Sequence, residues 1–98
     1  MLLPEVGVRS FARANDEERR AGLLAYLVVA IGPVIVDGVA IRRMASGRIG
    51  LSYPARTKAN GRRFSIVRPA DDQTREALER EILRQLTQRA DLAEEDLW

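Results

Sequence analysis

Cysteine and histidine are both missing from this chain, and aromatic residues make up only 5% of it. Without cysteine there is no disulfide, no thiolate nucleophile and no thiolate metal site. Without histidine the chain lacks the one side chain that ordinarily titrates near neutral pH. Catalysis would have to rest on perturbed carboxylates, lysine or tyrosine, or on a cofactor. No phosphate-binding glycine loop, metal-ligand spacing or nucleophile-base pair compensates. Asp37 is the only carboxylate between Glu18 and Asp71, and a lone carboxylate beside a glycine is a turn former. These absences speak against an enzyme and imply neither cofactor, metal nor small-molecule substrate. Residues 21–36 carry no charge, but that run is shorter than the ~20 residues a membrane helix needs and is broken by Gly32-Pro33. A charged segment precedes it and no cleavage pattern follows, so it makes a poor signal peptide. A soluble, cytoplasmic protein is expected.

Acidic residues are also missing from one long stretch. Between Gly38 and Ala70 every charged residue is basic: Arg42, Arg43, Arg48, Arg56, Lys58, Arg62, Arg63 and Arg68. Residues 1–68 hold 12 basic and 5 acidic groups, a balance of +7, while residues 69–98 hold 4 and 9, a balance of −5. A charge run of this kind either solvates a surface or forms an electrostatic footprint for a polyanion, nucleic acid above all.

The 98 residues suit one domain, read here as 1–90, followed by an acidic tail at 91–98 that ends in Trp98. Val6, Val8 and Phe11 form an imperfect alternation that predicts a first strand, and polar Asn15–Arg20 reads as a turn. Leu23–Ile31 is continuously apolar, fitting either a buried helix or a doubly covered strand. The Val-Val pair, Tyr26 and the following Gly-Pro favour the strand. Val34–Ile41 returns after the Gly32-Pro33 turn. Asp37-Gly38 marks a second turn or a bulge, and the branched residues that resume at once favour the bulge. Ala45–Gly47 turns the chain into Arg48–Tyr53, where Ile49, Leu51 and Tyr53 alternate against Arg48, Gly50 and Ser52.

Ala55–Gly61 reads as a loop ending in the turn pair Asn60-Gly61. Beyond it Arg62–Val67 alternates again, with Phe64 and Ile66 on one face. The two arginine-bearing strands, 48–53 and 62–67, are expected to form a hairpin whose apolar face, with Tyr53 and Phe64, joins the core. A stacking aromatic would then be missing. A helix from about Gln73 to Ala90 is the expected cover, capped by Asp71 or Asp72 after Pro69. Leu78, Ile82 and Leu86 recur every four residues, with Leu83 and Ala90 widening the stripe, and Glu76 with Arg80 makes a spaced ion pair. The fold class is α+β: a small antiparallel sheet of about four to five strands packed by a C-terminal helix.

Ala21–Leu27 (AGLLAYL), Val34–Arg42 (VIVDGVAIR), Gly47–Pro54 (GRIGLSYP), a basic loop ending in Gly61, Arg68-Pro69, and Thr74-Arg75 opening the last helix follow one another in an order that resembles the stage V sporulation protein G (SpoVG, septation protein) family of bacteria. The resemblance covers roughly residues 4–88. It implies a homodimer that extends the sheet across protomers and a site-specific DNA and RNA binder acting as a regulator. It also implies contacts in the loop after Pro54 and near the helix start, at Arg56 and Arg75. The chain departs from the family at Thr57, where a basic residue is usual, and at Ala59-Asn60, where Pro-Asp usually precedes Gly61.

The binding surface expected from charge is Arg56, Lys58, Arg62 and Arg63 on or beside one loop, with Arg75 added by the resemblance. In a dimer two such loops would double the field. A different reading also fits the long uncharged segment from Leu23 to Val36. Its apolar surface exceeds what a small monomer readily buries, which suits a protein-interaction module or dimeric adaptor without direct nucleic-acid binding.

Overall fold

A computed structural model describes residues 3–89. The chain runs β1 (Val6–Arg13), α1 (Asp16–Arg20), β2 (Leu23–Ile31), β3 (Val34–Arg43), β4 (Ile49–Ser52), β5 (Ala55–Thr57), β6 (Arg63–Ser65) and α2 (Asp72–Thr87). β1 to β4 form one antiparallel sheet in sequence order, while β5 and β6 form a separate two-stranded ribbon. The class is α+β. No described helix is long and apolar enough to cross a membrane. The expected acidic tail, Trp98 and Ala90 lie outside the described residues.

Alternation explains how the sheet is built. Residues two apart point to the same face, and Ala25, Leu27 and Val29 of β2 join Val36, Val39 and Ile41 of β3 and Leu51 of β4 in the core. The α2 stripe closes that core, with Leu78, Ile82 and Leu86 buried. The side chain of Asp71 caps the helix, accepting from the Thr74 N–H at 2.7 Å, and this bond holds its carboxyl below the usual carboxylate range. The bulge in β3 is present. Leu27 pairs with Val39 and Val29 with Val36, so β3 carries one extra residue at this point. Gly38 absorbs it at a φ of 77°.

Helix α2 also serves the two edge strands. On β1, Gln85 accepts from the Val8 N–H at 2.9 Å and donates to the Val6 carbonyl at 2.7 Å. On β4, the buried Glu79 accepts from the Leu51 N–H at 3.3 Å and pairs with Arg48 at 3.3 Å. One helix thus supplies bonds to edge groups on both sides of the sheet, where a further strand would otherwise be needed.

Three expectations need correction. Asn15–Arg20 is a short capped helix rather than a turn. Asn15 accepts from the Glu18 N–H at 2.8 Å and Glu18 accepts in return from the Asn15 N–H at 3.2 Å, a reciprocal capping box. Strand 48–53 does not pair with 62–67: β4 pairs with β3, and β6 takes β5 as its partner, drawn from the segment expected to be loop. The apolar residues of β6 consequently do not reach the core. The helix also arranges its ion pairs differently, since Arg75 bonds Asp72 and Arg84 bonds Glu81, while Glu76 and Arg80 form no such pair among the described residues.

Candidate nucleic-acid interface

Pro54 stops β4, and β5 then leaves the sheet. From Arg56 to Arg68 every residue is exposed. The turn is held locally: the Gly61 N–H donates to the Lys58 carbonyl at 2.9 Å, and the Lys58 N–H donates to the Arg62 carbonyl at 2.7 Å. Asn60 accepts from the Arg62 N–H at 3.0 Å, and Gly61 takes a φ of 82° that a side chain would strain. At its base the ribbon is tied back by Ile66, whose N–H donates to the Pro54 carbonyl at 2.9 Å.

Directly opposed residues of an antiparallel pair share a face. Arg56 stands opposite Phe64, and Thr57 opposite Arg63, so the cations are distributed over both faces of the ribbon. Arg56, Lys58, Arg62, Arg63 and Arg68 have no carboxylate partner among the described residues. Elsewhere in the basic stretch Arg48 is bound to Glu79 and the Arg42 guanidinium donates to Ser52 at 3.1 Å, while exposed Arg43 has no carboxylate partner among the described residues. The stretch that is uniformly basic in sequence therefore has Arg42 and Arg48 held against the sheet and, Arg43 aside, its free cations on or beside the ribbon.

Four of the five expected site residues, Arg56, Lys58, Arg62 and Arg63, are brought together here. Arg75 is not on the ribbon. It stands in the first turn of α2, bonded to Asp72 at 2.7 Å, and that carboxylate raises its pKa. Between the ribbon's exit and this turn lies a groove of about 280 Å³ lined by Val34, Tyr53, Val67, Arg68, Thr74 and Leu78, among others. The Tyr53 hydroxyl is buried without a hydrogen-bond partner, and burial pushes its pKa up to about 12.

Phe64 departs most from expectation. It is not a core residue: its exposure is 41%, and that of Ile66 is 55%. Lys58 lies over its ring, the ammonium 5.1 Å from the centroid. The period-two pattern around Phe64 marks a strand correctly but carries no information on whether anything covers it. The informative signal is the number of apolar stripes available, since the described residues hold one long helix and the sheet uses it.

No family model, curated protein or solved structure matches this chain.

Proposed function

We propose that this chain is a cytoplasmic, non-enzymatic regulatory protein that binds nucleic acid, DNA or RNA, through the β5–β6 ribbon, in the manner expected of the SpoVG family it resembles. The observation that carries this reading is the set of exposed cations Arg56, Lys58, Arg62 and Arg63 without carboxylate partners on one projecting ribbon. Phosphates attract such a set whatever the base sequence, and a two-stranded ribbon is narrow enough to enter a major groove. Arg75 has a lesser part, because part of its charge is already spent on Asp72.

A homodimer belongs to the proposal. The edge groups at Val6, Val8 and Leu51 are already bonded by α2. A second copy would instead meet the sheet face opposite the helix, where Tyr26 and Ile35 are exposed. Those same residues, with exposed Val34, favour the second reading, a protein-interaction module or adaptor.

Fluorescence anisotropy with a labelled duplex and a matching RNA, titrated at several salt concentrations, tests the first reading. Three to four phosphate contacts predict a log-log slope of about −3 for one chain, near double for a dimer with both ribbons engaged. The quadruple variant Arg56→Ala, Lys58→Ala, Arg62→Ala, Arg63→Ala should lose more than about tenfold in affinity at low salt. Unchanged affinity in that variant would move the site elsewhere, and no binding by the native chain at ~50 mM salt would favour the adaptor.

A further inference from the structure

An aromatic ring held outside the core among unpaired cations is a costly arrangement for a short ribbon. Apolar surface is ordinarily buried, yet Phe64 keeps 41% of its surface exposed even with Lys58 over its ring. Its position is set by backbone pairing: it stands opposite Arg56, one residue from Arg63 and two from Arg62. Exposed aromatic faces flanked by backbone-tracking cations are what a flat, anionic, flexible polymer requires. Its bases stack on the ring while its phosphates meet the charges. Bases within a duplex are stacked on one another and present only their edges, so a ring of this kind would find no face to meet there.

We propose that Phe64 is a stacking platform for an unpaired nucleobase, and that the ribbon's preferred ligand is single-stranded nucleic acid rather than duplex. The inference rests on the nucleic-acid reading above and narrows it. Lys58 holds the platform ready: its ammonium sits above the ring in the free protein and moves onto a phosphate when a base takes its place. Arg56, sharing the ring's face of the ribbon, meets the neighbouring phosphate. Arg63, on the opposite face, contributes to the field without touching that base. RNA and DNA single strands offer the same base faces and phosphates, so the ring itself accepts either.

The test compares three labelled probes of one sequence, a single-stranded RNA, a single-stranded DNA and a duplex, on the full chain and on Phe64→Ala and Phe64→Trp. The native chain is expected to bind at least one single strand more tightly than the duplex. Phe64→Ala should weaken single-strand binding by about 5- to 150-fold, the range of one lost base stack, with less effect on the duplex and no change in salt slope. Phe64→Trp should restore affinity. In a Trp98→Phe background its indole is the only one in the chain, and its emission should be quenched by a single strand. Equal single-strand affinity in Phe64→Ala, or equal losses on single strand and duplex, would overturn the stacking role while leaving the phosphate-binding ribbon intact. A native chain that binds none of the three probes would overturn both.

Discussion

Leu51 of β4 and Phe64 of β6 are both apolar members of alternating strand segments, yet Leu51 is 6% exposed and Phe64 41%. The difference lies in what stands opposite. Leu51 faces the stripe of α2, and its N–H is bonded by Glu79 from that same helix. Phe64 has Arg56 across from it and Lys58 above it, and no residue of α2 is paired with its strand. The sheet has its apolar face covered and edge groups bonded, while the ribbon leaves apolar surface and charge together in solvent. Stability should therefore reside in the sheet and helix, and recognition in the ribbon.

The strongest way to break that division is a charge in the sheet's core. Leu27 is 1% exposed, and an unpaired carboxylate there has no means of compensation. Leu27→Asp is expected to abolish the cooperative thermal transition followed by circular dichroism. A folded, soluble Leu27→Asp protein would contradict the burial described. Next come the edge bonds. Glu79→Ala and Gln85→Ala should each cost about 1–3 kcal/mol in chemical denaturation, since each strands backbone groups. Serving opposite edges, the two changes should add when combined.

A smaller effect sharpens the comparison through pH. The Tyr53 pKa, raised to about 12 from 10.0, means that the unfolded chain gives up this proton first. Its contribution to stability is full below pH 10 and is lost as pH rises from there toward 12. Tyr53→Phe should lessen this alkaline loss at little cost near neutrality, because the hydroxyl has no partner to lose. A larger loss of stability at pH 7 would mean that the hydroxyl is bonded after all. The least stability effect is expected from the quadruple ribbon variant, within about 0.5 kcal/mol of the native chain, as for exposed sites generally. A marked destabilisation there would show that the ribbon's charges support the fold as well.

Much of the sheet and helix is legible in the sequence. The apolar run at Leu23–Ile31, the bulge at Gly38, and the four-residue spacing of Leu78, Ile82 and Leu86 are local signals, and local signals survive folding. The capping box was legible too, as Asn15 with Glu18 three residues on, but it opens a helix of only one turn with no apolar periodicity to draw attention to it. Strand pairing was not legible. Ile49–Ser52 and Arg63–Ser65 alternate alike, and nothing within either says that the first joins Val34–Arg43 while the second takes a three-residue partner from an apparent loop. The four ribbon cations could be grouped because they are close in sequence. The exposure of Phe64 depends on where a distant helix is used up, which is a property of the whole chain.

The bonds from Gln85 to Val6 and Val8 join residues 79 and 77 positions apart in the chain. As synthesis proceeds from β1 toward α2, the hairpins can form while the bonding groups of the outer strands are still open to another chain. Only the arrival of the helix closes them. For the growing chain the hazardous interval thus runs from the completion of β4 until Gln85 has been made, when edge-to-edge aggregation competes with folding. A truncation before Gln85 would extend that interval indefinitely, so loss of solubility should accompany loss of stability.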